Sequence, residues 1–223
     1  IKSSNTILVG DQNRNLTIGL FCVDVKEDDE LEAIITTARE YGLPVAAHAH
    51  GIEGMKRAIR AGVNSIEHGT FIDDEAVELM KRKGTFLVPT LTVAEWATEK
   101  AKEEGYFPEV VQKKAAKVGP VTKKALERAY KGGVRIVFGT DFSGDNNLGE
   151  FALMVKAGMK PMDTIIAATL NAAQLQRVDN KLGSIEAGKL ADVVAVKGNP
   201  IDDIRAMENM IFVMKNGKIY KQP

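Results

Sequence analysis

The sequence predicts an α/β protein built as a (β/α)8 TIM-type barrel with a small β appendage at its C-terminal end. Three observations carry this prediction. A unit of amphipathic helix, small residue with Gly, short apolar strand and terminal polar residue recurs along the chain. Three of those strand ends bear His48, His68 and Asp141. From Gly183 onward the pattern changes to short β segments separated by turn signals.

The first complete unit runs from a helix over Glu30 to Tyr41, closed by Gly42, into a strand over Leu43 to Ala47 that ends at His48. The second has a helix over Gly54 to Ala61, Gly62, and a strand from Val63 to Ile66 leading to His68. The third starts on the acidic turn at Asp73, stops at Gly84 and feeds Phe86 to Val88, with Thr90 just beyond. The fourth takes Val121 to Lys131, the pair Gly132 and Gly133, and a strand from Val134 to Phe138 reaching Thr140 and Asp141.

Strands alternating with helices imply a parallel sheet covered on its outer face. A doubly wound open sheet would carry a Gly-rich phosphate turn after its first strand. Barrels of eight strands instead assemble their sites from several strand ends at one mouth, and His, His and Asp at three ends fit that arrangement. Ala94 to Gly119, holding the single Trp96, is expected as an extra helical excursion. Helices over Met162 to Leu170 and from Ala172 follow. The tail segments Asp192 to Val196, Ile211 to Met214 and Lys218 to Tyr220 read as strands, with Asn216-Gly217 a hairpin turn.

Composition narrows the function. Thirty basic residues balance thirty acidic ones, which gives no summed field to draw nucleic acid or an anionic membrane. No apolar run approaches the roughly 20 residues that cross a bilayer. Cys22 is the single cysteine, so a metal would take nitrogen and oxygen ligands. The chain opens on Ile1 without a leader-like segment, and the expectation is a processed or cut beginning, with the compartment open and the cytoplasm favoured.

His48, His50 and His68 fall within one short segment, and two of them end adjacent strands. Imidazoles joined by a carboxylate suit zinc, manganese or iron, and an incomplete shell leaves room for a water whose pKa the metal lowers from 15.7 to about 7. The expected ligands are His48, His68 and Asp141, with Asp141 also the catalytic general base. His50 is expected to line the pocket.

The runs Val45-Ala46-Ala47-His48-Ala49-His50-Gly51, Ala61-Gly62-Val63-Asn64-Ser65-Ile66-Glu67-His68-Gly69 and Phe138-Gly139-Thr140-Asp141 resemble the amidohydrolase superfamily, in its imidazolonepropionase-like and Xaa-Pro dipeptidase branch. So does Gly183-Ser184-Ile185-Glu186-Ala187-Gly188-Lys189-Leu190-Ala191-Asp192. The resemblance implies a barrel with one or two divalent metals, zinc first among them, in which His48, His68 and Asp141 end strands five, six and eight. It implies a carboxylated lysine on strand four, for which Lys2 is the candidate. It also implies a His-x-His pair on strand one, and none precedes residue 30. An N-terminally truncated barrel is therefore expected: strands four to eight in residues 1–182, and in residues 183–223 part of a composite β-sandwich.

The activity so implied is hydrolysis of an amide bond in a dipeptide or N-acyl amino acid. The alternatives are a cyclic amide or amidine as substrate, or a non-catalytic scaffold that lacks the His-x-His strand. A small-molecule partner and a homo-oligomer are expected. Gly183 to Lys189 also spells Gly-x-x-x-x-Gly-Lys, but Leu190 stands where Ser or Thr would be and a strand follows, so nucleotide binding is not expected.

Overall fold

A computed structural model describes residues 28–143 and 147–223, and residues 6–9 by their backbone. The chain divides into two compact units: Ile1–Pro89 with Ala94–Ile136, and Thr90–Val93 with Val137–Pro223.

The first unit is built on a four-stranded sheet of β1 (Thr6–Val9), β2 (Val45–Ala49), β3 (Ser65–His68) and β4 (Phe86–Val88), in that order. β1 runs antiparallel to β2, whereas β2, β3 and β4 are parallel, as crossover helices require. The helices are α1 (Asp28–Glu40), α2 (Ile52–Ala61) and α3 (Asp74–Lys83). α3 shows why they form where they do. Asp73 accepts the Ala76 amide at 2.8 Å, Asp74 and Glu75 meet the positive end of the helix dipole, and Lys81, Arg82 and Lys83 meet the negative end. Gly84 then closes the helix in the left-handed conformation. Lys56 of α2, itself buried, ties the two helices by reaching Asp73 at 2.8 Å and Glu75 at 2.6 Å.

The first histidine-bearing strand begins two residues later than its apolar run suggests. The Leu43 amide turns back to the Ala38 carbonyl of α1, and Pro44 has no amide to give, so the ladder starts at Val45. His48 consequently lies inside β2. Asn64 sets the register of β2 against β3 and β4: its Oδ1 accepts the Val45 amide at 2.8 Å, its own amide donates to the Val45 carbonyl, and its carbonyl accepts the Phe86 amide. Ala47, Ala49 and Ile66 are wholly buried.

Two further expectations differ in detail. The excursion is α4 (Leu91–Lys100) followed by α5 (Glu109–Lys131), which absorbs the separate helix expected from Val121. α5 continues through Pro120 because it rests on α4 there. The Gly119 amide donates to Thr98 Oγ1 at 3.0 Å, and a Cβ on Gly119 would lie 2.6 Å from that oxygen. The strand expected over Val134 to Phe138 is reduced to a bridge between Leu87 and Ile136. Leu87 still donates to the Arg135 carbonyl, but the Phe138 amide turns to the Ala167 carbonyl and leaves the ladder.

The second unit holds α6 (Gly149–Lys156), α7 (Pro161–Ala168), α8 (Leu170–Leu175) and an antiparallel sheet of β5 (Val193–Val196), β6 (Met210–Lys215) and β7 (Lys218–Lys221). Its core gathers Phe151, Ile204 and Met207, with Phe138, Leu148 and Ile165 packed around them. The Asn216-Gly217 hairpin forms as the sequence indicates, with both residues at positive φ. No helix among the described residues is long and apolar enough to cross a membrane.

Candidate metal centre

Parallel pairing of β2 with β3 sets His48 opposite Glu67 and Ala49 opposite His68. Side chains alternate along a strand, so a regular β3 would send His68 to the face opposite His48. It does not, because His68 adopts a left-handed backbone with φ of 72°. That turn brings His68 Nε2 to 2.8 Å from His48 Nδ1, one nitrogen donating and the other accepting. Gly69 follows at φ of 59°, and its amide donates to the Ala49 carbonyl, which extends the pairing past the strand ends.

A left-handed backbone at a non-glycine residue costs about 1–2 kcal/mol and persists where the surroundings hold it. Thr90 at φ of 52° and Asp141 at φ of 48° share the conformation. His68, Thr90 and Asp141 are the polar residues at or just past the ends of β3, β4 and the run after Ile136, so two of the expected ligands, His68 and Asp141, carry this strain.

His50 lies over His68 with ring centroids 4.5 Å apart and 6° between planes, and its Nδ1 is 2.8 Å from Thr70 Oγ1. Burial first, and then the neighbouring His50 and His48, push the His68 pKa down to about 3. His68 is thus held neutral, the form in which imidazole binds metal. His48 is half-buried and His50 exposed.

The sequence-predicted residues divide as follows. His48 and His68 come together, with His50 stacked on them. Asp141, exposed, belongs to the second unit. Lys2 lies outside the described residues. Among the described residues no three His, Cys, Asp or Glu side chains form a metal-holding group. The facing pair of imidazole nitrogens fits a divalent metal as two of its ligands, and neutral nitrogen donors suit zinc.

Two residues escaped the sequence reading. Thr70, buried, holds His50, and nothing beyond its place after His68-Gly69 marks it. Glu150 is wholly buried and accepts the amides of Leu91 and Thr92. A single acid in the apolar stretch Gly149-Glu150-Phe151-Ala152-Leu153-Met154-Val155 is the signal that could have found it.

Parallel strands with crossover helices, and two imidazoles brought together at their ends, mark an α/β protein with a candidate metal centre, and comparison with known proteins makes the class specific. Residues 25–220 match the amidohydrolase family, and the chain belongs to that family. It is 36% identical over 201 residues to ochratoxinase of Aspergillus niger, covering 87% of this chain and 42% of that protein. An imidazolonepropionase of Shewanella oneidensis is 28% identical over 187 residues, 78% of this chain and 40% of that protein. Among solved structures, a Xaa-Pro dipeptidase with methionine bound in its active site superposes with a TM-score of 0.85 at 51% identity, over 87% of this chain and 49% of that one. The chain thus spans about half the length of the relatives it matches.

Proposed function

We propose that the protein to which this chain belongs is a metal-dependent amidohydrolase that cleaves the amide bond of a dipeptide or N-acyl amino acid. The observation that carries the reading is the facing pair His48 Nδ1 and His68 Nε2, 2.8 Å apart, with His68 held neutral. In this reading His48 and His68 would give two nitrogen ligands, Asp141 an oxygen ligand, and Lys2, in carboxylated form, a further oxygen ligand. A divalent metal, zinc foremost, would activate water and polarise the carbonyl. Asp141 takes the proton from the attacking water at its carboxylate and returns it to the leaving amine. His50, braced by Thr70, keeps the His68 ring in the plane its ligand role needs.

The 51% identity to a Xaa-Pro dipeptidase favours a dipeptide substrate. The weaker likeness to imidazolonepropionase keeps a cyclic amide as the second reading. The test is a panel of Xaa-Pro dipeptides, N-acyl amino acids and cyclic amides offered to zinc-loaded protein. Release of amino acid from the first two classes, lost in Asp141→Asn, is the expected result. Turnover of cyclic amides alone would move the reading to the second substrate class, and turnover of none by metal-loaded protein would sink it.

A further inference from the structure

Glu150 stands outside the proposed ligand set, yet its carboxylate is wholly buried and engaged on both oxygens. Oε1 accepts the Leu91 amide at 2.8 Å, and Oε2 accepts the Thr92 amide at 2.7 Å and the Thr92 hydroxyl at 2.5 Å. Leu91 and Thr92 open α4, whose first turn has no acid of its own. Its buried first-turn amides are therefore satisfied by a side chain some 60 residues away, where a local cap would ordinarily serve.

The residue immediately before this turn is Thr90, buried and left-handed at the end of the β4 run. The residue immediately after Glu150 is Phe151, whose ring lies 4.5 Å from that of Phe138, three positions before Asp141. Two adjacent residues of α6 therefore grip two different strand-end segments of the second unit, one carrying Thr90 and the other leading to Asp141.

We infer that Glu150 is a positioning residue: through its two-oxygen grip on the Leu91 and Thr92 amides it fixes the Thr90 segment relative to the segment that carries Asp141. The link to catalysis rests on the proposed role of Asp141. The anchoring itself does not. Glu150→Gln preserves shape and one acceptor oxygen but sets an amide N–H2 against donors on the other side, so one of the two backbone amides loses its acceptor.

The test pairs two readouts on the metal-loaded protein, wild type against Glu150→Gln and Glu150→Asp. Amide hydrogen exchange at Leu91 and Thr92 is expected to quicken by about tenfold or more in Glu150→Gln, the scale of one lost charge-assisted hydrogen bond. On the best dipeptide substrate, kcat is expected to fall by about 10- to 100-fold with bound metal unchanged, as small misplacements of reacting groups do. Glu150→Asp, which keeps both oxygens, is expected to recover part of each loss. Unchanged exchange at both amides would overturn the anchor. Faster exchange with kcat unaltered and only a lower melting temperature would reduce Glu150 to a structural cap and overturn its positioning role. Should wild-type protein turn over nothing, the proposed function fails, while the exchange readout still decides the anchor.

Discussion

His50 lies flat on His68, centroids 4.5 Å apart and planes within 6°, while the other side of this small cluster is closed by His48 Nδ1 at 2.8 Å from His68 Nε2. The stack holds one ring in orientation, and the hydrogen bond joins the two nitrogens between which a metal would replace the shared proton. Outer contacts that orient a ligand ring are commonly worth 10- to 100-fold in metal affinity.

Truncating the stack should loosen the site without removing a proposed ligand. His50→Ala is expected to weaken zinc binding by about tenfold, with Thr70→Val, which removes the hydroxyl that braces His50, showing a smaller loss. Competition titration against a zinc chelator measures both. Wild-type affinity in His50→Ala would show that the stack contributes nothing.

His68 also makes stability depend on pH. Its folded pKa of about 3 lies below the usual 6.5, so between these values the unfolded chain binds a proton that the folded chain refuses. Stability from this group is complete above pH 6.5 and declines as the pH falls towards 3, by at most about 1.4 kcal/mol per pH unit. Urea midpoints of chelator-treated protein at pH 7.5 and 5 should therefore differ more for wild type than for His68→Gln. Equal differences would contradict the assignment.

Asn64 governs register. It accepts the Val45 amide at 2.8 Å and pairs by its backbone with both Val45 and Phe86. Asn64→Ala keeps the backbone bonds and orphans the Val45 amide, at a cost of about 1–3 kcal/mol. Thermal unfolding would report it, and a loss below about 0.5 kcal/mol, the usual range of surface changes, would show that β2 is placed by other contacts.

Gly69 follows His68 in a second left-handed residue, and a Cβ there would lie 2.5 Å from Leu87 Cδ1. Leu87 is fully buried and cannot swing clear. Gly69→Ala should cost about 2 kcal/mol or more from backbone strain and overlap together. Adding Leu87→Ala should recover part of the overlap, which a double-mutant cycle on unfolding free energies detects as a coupling. Strict additivity would mean that the overlap is relieved in some other way.

Much of this was legible in the sequence because it depends on local signals. Gly62 and Gly84 mark helix ends, the Asp73 cap marks a helix start, and Asn216-Gly217 marks a hairpin. His48 and His68 could be singled out because each follows a short apolar run. What stayed hidden depends on long-range partners. The left-handed turn at His68, which overrides strand alternation, leaves no trace in hydrophobic period. The departure of Phe138 from the ladder depends on a carbonyl of α7, and the role of Glu150 depends on amides some 60 residues away.

The most direct test of the account is zinc stoichiometry and affinity in wild type, His48→Ala and His68→Ala, read by elemental analysis after dialysis without chelator and by competition titration. Bound zinc is expected in wild type, with at least about a 100-fold loss of affinity in each variant, since each removes a proposed ligand. Zinc bound equally well by all three proteins would contradict it.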